Sequence, residues 1–161
     1  MKLQKGVTMI ELMAVVAIVA ILAKVALPAY TNYVIRGKIP DATSNLAAKR
    51  VKMEQFYQDN RTYVGTTTAG QPCAPDPAPG GTSKYFSFAC TGTGTPSATG
   101  YIITATGINQ MLGFTYTIGN ITSGGVPSDN LKTSNIVAEP GNAAFVAPLT
   151  NCWITNTGGQ C

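Results

Sequence analysis

The sequence predicts an α+β fold in which one long N-terminal α-helix lies across an antiparallel β-sheet of three to four strands. Two observations carry this. The apolar run from Val7 to Leu27 continues into a stretch whose apolar residues recur at helical spacing as far as Tyr57. Beyond it come short β-rich runs bounded by Gly, in a 161-residue chain with only 11% charged residues and abundant Gly, Thr, Ser and Asn. About 130 residues follow the apolar stretch, enough for one globular domain. The predicted boundaries are residues 1–6 as a leader, 7–28 as the apolar half of the helix and 29–161 as the domain.

Val7 to Leu27 is a run of 21 residues, and as a helix it spans ~31 Å, about the hydrocarbon thickness of a bilayer. Lys2 and Lys5 precede it and no acid comes before Glu11, so the positive-inside rule keeps the extreme N-terminus cytoplasmic. Glu11 is costly inside such a helix. No basic residue lies three or four positions from it; Thr8 and Val15 occupy the neighbouring same-face positions. A cut after Gly6 would give Val7 a free α-amine, positive near neutral pH, which a neighbouring copy could present to Glu11. The alternative is a simple anchor from which Glu11 snorkels to the headgroups.

Ala14, Ala17, Ala20, Ala23, Ala26 and Ala29 recur every third residue. At ~100° per residue each step falls back by about 60°, so the stripe winds around the axis and suits contact with several helices. The plainer reading is that Ala is common in apolar helices. Ordinary signal peptidase is disfavoured, because no two alanines between residues 10 and 30 are spaced two apart.

This N-terminal pattern resembles that of type IV pilins. Gly6, Thr8, Met9, Ile10 and Glu11 match the prepilin signature, and Pro28 closes the apolar half as in the family. Val7 departs from it, standing where the family usually has Phe. The resemblance implies that an inner-membrane prepilin peptidase cuts between Gly6 and Val7 and N-methylates Val7. It also implies subunit assembly through Glu11 and Val7.

After Pro28, Ile35, Ile39, Ala42, Leu46, Met53 and Tyr57 form one apolar face, flanked by Val51 and Phe56, with Lys49, Arg50, Lys52, Gln55 and Asp59 between them. Gly37 and Pro40 predict a bend or frayed hydrogen bonds there, as does Pro28. A continuous helix from Val7 to Asn60 would be ~80 Å long. Its apolar first half cannot stay in water and must lie in lipid or among other such helices.

Asn60 to Tyr63 ends the helix, and Val64 to Ser83, rich in Gly and Pro, reads as a loop. Tyr85–Ala89, Tyr101–Thr106 and Phe114–Ile118 read as strands, with Gly107 to Gly113 as a hairpin connection. Asn120 to Pro148 reads as loop with a brief strand at Asn135–Val137, and Cys152–Thr155 as a fourth short strand. Four cysteines lie beyond the apolar segment, where an oxidising compartment is expected. Three pairings are possible; proximity in sequence favours Cys73–Cys90 and Cys152–Cys161. A zinc site is disfavoured because neither spacing is CxxC-like and the chain has no His.

The tail Asn151–Cys161, with its Cys-Trp pair, Gly-Gly turn and terminal Cys, is similar to that of small pilins, often minor subunits. That resemblance implies a disulfide-closed region exposed on the fibre surface and variable in receptor contact. A core role for Trp153, with a disulfide that only staples a fraying end, is the alternative.

No enzyme is expected. There is no His for general-base work, no GxSxG and no GxxxxGK[ST], and Asp41, Glu54, Asp59, Asp76, Asp129 and Glu139 are scattered, so no metal or cofactor is predicted. The formal charge of +4 falls to +2 without Lys2 and Lys5, and from Thr62 onward Lys84 and Lys132 face Asp76, Asp129 and Glu139, net −1.

Three functions remain in view. The first is a structural pilus subunit, held in the inner membrane and assembled with other pilin subunits by a pilus assembly platform, serving adhesion, twitching motility or DNA uptake. The second is a minor pilin that grips DNA or a host surface. Its candidate phosphate contacts are Lys49, Arg50 and Lys52, with Arg36, Lys38 and Arg61 near the helix ends; a solvated helix face is the plainer reading of that cluster. The third is a type II secretion pseudopilin, disfavoured by the paired cysteines and the absence of a Ca²⁺-binding constellation.

Overall fold

A computed structural model describes residues 6–75, 83–90, 92, 96–121, 127–137, 145, 152–158 and 160–161. Helix α1 (Met9–Asn60) runs without interruption through Pro28, Gly37 and Pro40. Four strands follow: β1 (Phe86–Cys90), β2 (Ile102–Gly107), β3 (Phe114–Ile121) and β4 (Pro127–Ile136). They form one antiparallel sheet in the order β1-β2-β3-β4, so this is the α+β arrangement expected.

The two halves of α1 live in different surroundings. From Val7 to Leu27 the large apolar side chains are 53–78% exposed, and no described residue before Ile35 is buried. From Ile35 onward the predicted stripe turns inward: Ile35, Ile39, Ala42, Leu46 and Met53 are buried against the sheet, with Tyr57 partly so. Val51 is exposed and Phe56 half-buried. Arg61 ends the helix in the left-handed region at φ 56°, its N–H donating to the Tyr57 carbonyl at 2.7 Å.

The helix rests on β1, β2 and β3. Alternation along the strands turns Phe86, Phe88, Ile103, Ala105, Phe114, Tyr116 and Ile118 into the core. The register sets small beside large: Ala105 lies between Phe88 on β1 and Tyr116 on β3. Gly107 is required by a close approach, since a Cβ there would sit 1.7 Å from the Met111 carbonyl oxygen. That carbonyl belongs to the 3-10 turn Asn109–Met111, which forms the β2–β3 connection expected between Gly107 and Gly113.

The first two strands lie one residue further along the chain than expected, and β3 runs on to Ile121. The fourth strand is a correction. Residues 152–155 are not a strand; the fourth strand is β4, which extends the brief Asn135–Val137 expectation back to Pro127. Its polar Pro-Ser-Asp-Asn opening reads as turn, but a partner strand overrides propensity, and Pro is tolerated at the first residue of an edge strand. The tail instead docks by side-chain bonds: the Tyr116 hydroxyl donates to the Ile154 carbonyl at 2.9 Å and the Trp153 indole N–H to the Thr117 carbonyl at 2.8 Å.

Polar clamps complete the helix–sheet interface. Glu54 accepts from the Tyr63 hydroxyl at 3.0 Å and the Tyr101 hydroxyl at 2.8 Å, joining α1 to the segment after it and to the start of β2. The Tyr63 ring lies 4.7 Å from that of Tyr57 and 4.8 Å from that of Tyr101. Asp41 accepts from the Ser83 hydroxyl, whose oxygen accepts from the backbone N–H groups of Tyr85 and Phe86 at 2.9 and 3.0 Å, fixing the entry to β1.

Burial, then the Glu54 carboxylate, pushes the Tyr63 and Tyr101 hydroxyls well above their ordinary pKa of 10.0, and burial alone raises Tyr116. A raised folded-state pKa contributes stability that is complete below pH 10 and lost as the pH climbs above it. We expect alkaline unfolding to begin above about pH 10 in a pH titration followed by circular dichroism. Tyr101→Phe should lower neutral-pH stability by about 1–2 kcal/mol in urea, through the lost bond to the carboxylate, and weaken the alkaline transition.

Candidate functional site

At the N-terminus, Gly6 and Val7 are exposed and precede the helix outside any regular secondary structure. Glu11 is exposed on the first turn and closes a capping box: its N–H donates to the Thr8 hydroxyl at 3.3 Å, and the Thr8 N–H donates to its carboxylate at 3.5 Å. Sequence reasoning missed this, although Thr8-x-x-Glu11 is itself the signature of such a cap. Among the described residues of one copy, therefore, the carboxylate meets a neutral backbone donor rather than a cation.

The basic cluster on α1 divides. Lys49 and Lys52 line a surface groove of ≈ 450 Å³ between the helix and the 70–72 turn, together with Asn45, Gln55, Asp59 and Gln71. The Lys49 ammonium donates to the Pro72 carbonyl at 3.3 Å and lies 5.7 Å from the centroid of the Phe88 ring. Arg50 is absent from this groove; its charge acts on Tyr63 and Tyr101 at the other flank, where it opposes their upward shifts. One residue along a helix turns the side chain by ~100°, so neighbours in sequence need not share a face. Lys52 and Arg61 are exposed or nearly so.

Cys73 is bonded to Cys90 and Cys152 to Cys161. The first joins the loop after α1 to the end of β1, with Cys73 buried and its N–H donating to the Thr66 carbonyl at 2.9 Å. The second closes the tail. There Ile154 is fully buried while Trp153 is only partly covered, with the Lys132 ammonium 5.1 Å from its ring. The Ser134 hydroxyl ties the tail to β4, donating to the Cys152 carbonyl and accepting from the Ile154 N–H, both at 3.0 Å. Among the described residues no cluster of three or more His, Cys, Asp or Glu could hold a metal ion.

Comparison with known proteins decides the family. Residues 1–23 match the prokaryotic N-terminal methylation motif, and residues 28–117, more than half the chain, match the family described as "Type IV minor pilin ComP, DNA uptake sequence receptor". The chain belongs to this family of type IV pilins. The pilin is similar over part of its length to the fimbrial protein EcpC of Eikenella corrodens, 38% identical over 68 residues, or 42% of this chain and 44% of that protein. A fimbrial protein of Neisseria meningitidis serogroup B is 42% identical over 67 residues, covering 42% of this chain and 39% of the relative. The type IV major fimbrial protein FimA of Dichelobacter nodosus is 35% identical over 71 residues, covering 42% and 46%. The pilin thus spans less than half the length of these curated relatives. No solved structure matches.

The tail bond is expected to matter locally. Replacing Cys152 and Cys161 by Ser should cost about 2–3 kcal/mol in urea unfolding, as for a short closed loop. Trp153 fluorescence should shift to the red before helix content falls in circular dichroism.

Proposed function

We propose that this pilin is a structural subunit held in the inner membrane by residues 7–28, with residues 29–161 forming the globular domain outside it. Prepilin peptidase removes residues 1–6 and N-methylates Val7, and the pilus assembly platform then moves the subunit from lipid into a filament. In the filament Glu11 neutralises the Val7 amine of an adjacent subunit. The observation that carries this reading is the bare apolar half of α1, exposed along its whole length and long enough to cross a bilayer. Lipid or the same helices of other copies are the two surroundings that satisfy it. Exchanging the capping contact of Glu11 for a cation would set axial register, because removing one partner of an ion pair in an apolar core is costly.

The test separates the cap from the pairing. Glu11→Ala is expected to leave a processed, membrane-held chain that fails to enter fibres, while Thr8→Ala, which removes the cap but keeps the carboxylate, assembles. Fibre yield and mass spectrometry of the mature terminus read both. Normal yield from Glu11→Ala, or a terminus other than Val7, would overturn the assignment.

A second reading, as a minor pilin that binds DNA during uptake, is favoured by the DNA uptake sequence receptor in the family's description and by the groove holding Lys49 and Lys52. In this reading those two lysines contact phosphate, and Arg61 extends the contact at the helix end. Gel shifts with duplex DNA at two salt concentrations test it: Lys49→Gln with Lys52→Gln should reduce the salt slope by about 1.8, roughly 0.9 for each neutralised phosphate. An unchanged slope would leave the groove as a solvated helix face.

A further inference from the structure

Where α1 leaves the domain, two clefts flank the helix. One, of ≈ 260 Å³, is lined by Tyr30, Thr31, Val34, Ile35, Lys38 and Gln110. The other, of ≈ 330 Å³, is lined by Ala29, Asn32, Tyr33, Arg36 and Thr157. Each contains one tyrosine and one cation. We propose that this shoulder is a seat for anionic phospholipid headgroups, with Arg36 and Lys38 binding phosphate and Tyr30 and Tyr33 anchoring the helix at the interface. The proposal deepens the membrane-held stage proposed above and rests on it.

The cations are held in place, and by neutral groups. The Arg36 guanidinium donates to the Thr157 hydroxyl at 2.9 Å, and the Lys38 ammonium donates to the Gln110 side-chain oxygen and lies 5.1 Å from the centroid of the Tyr85 ring. Neither has a carboxylate partner among the described residues. The sequence has no acid from residue 12 to residue 40. Asp41, the next one, is engaged with Asn45 and Ser83. Together with Lys24, exposed just before Pro28, the outer end of the apolar span carries three cations and, among the described residues, no compensating anion. That is unusual for a plain anchor, whose basic residues gather at the cytoplasmic end.

Position supplies the occupant. The apolar run ends at Leu27, so Tyr30 and Tyr33 lie about 5 and 9 Å further along the axis, at headgroup depth. They are 68% and 76% exposed, as expected of interfacial aromatics with one apolar and one polar end. Arg36 and Lys38 start further out, but helical side chains lean toward the N-terminus. Their clefts accordingly reach back to Ala29 and Tyr30. A guanidinium fork and an ammonium over apolar walls suit a lipid phosphate better than a free ion, because the walls cover the glycerol and first methylenes.

The test uses the full chain reconstituted into vesicles of equal phosphatidylglycerol and phosphatidylcholine. Insertion is read by carbonate-resistant association, and retained lipid by native mass spectrometry after detergent extraction. We expect selective retention of phosphatidylglycerol. The ratio should fall by about 25-fold in Arg36→Gln/Lys38→Gln, at roughly fivefold per cation. Arg36→Lys/Lys38→Arg should preserve it, as should Lys49→Gln/Lys52→Gln, which removes equal charge elsewhere on the helix. Insertion without selectivity, or equal loss in both charge-removing variants, overturns the headgroup seat alone. Dimers in place of lipid adducts, lost in Arg36→Gln/Lys38→Gln, make a second copy the occupant and also overturn it. Failure to insert removes the membrane-held reading, and this proposal with it.

Discussion

One continuous helix must satisfy two solvents. Its 52 residues extend ~78 Å, and only the second half finds cover within its own chain. The sheet is too short to reach the first half: burial begins at Ile35, and the apolar side chains before Leu27 face outward on every side. A helix apolar all round is stable only in lipid or in a bundle. The membrane-held subunit and the filament subunit proposed above are two answers to that one energetic demand.

For that exchange to work, the projecting half must keep a definite direction relative to the domain. Apolar packing of Ile39, Ala42, Leu46 and Met53 supplies most of the contact but little directional specificity. The direction comes from polar links spaced along the packed half: Arg36 to Thr157, Lys38 to Gln110, Asp41 to Ser83 and Glu54 to Tyr63 and Tyr101. Each joins the helix to a different later segment of chain. The Asp41 and Glu54 links are part-buried, where a hydroxyl or carboxylate left without its partner is costly, so a sliding or rotated helix would lose them together.

The same links divide the helix surface electrostatically. Arg50 faces the Glu54–tyrosine cluster, whereas Lys49 and Lys52 open onto the groove beside Pro72, and Arg36 and Lys38 sit at the shoulder. Positive charge thus gathers at two separate places on a domain whose sequence beyond Arg61 is net −1. Anionic partners are drawn to those places rather than to the surface at large.

Much of this was legible in the sequence because its signals are local. The apolar run, the helical stripe from Ile35 to Tyr57 and three of the strands follow from periodicity and breakers, each acting within a few residues. Thr8-x-x-Glu11 was equally local and simply went unread as a cap. What the sequence could not supply depends on residues distant in the chain. Pro127–Ile136 becomes a strand only because β3 offers its edge, and Trp153 lies outside any strand because its indole finds Thr117 instead. Glu54 reads as one scattered acid until folding brings Tyr63 and Tyr101 to it. Lys49, Arg50 and Lys52 read as one cluster until the helix turns them to different flanks. Local spacing determined the elements; which side chains meet was decided by packing, because a contact between distant residues exists only once the chain between them has closed.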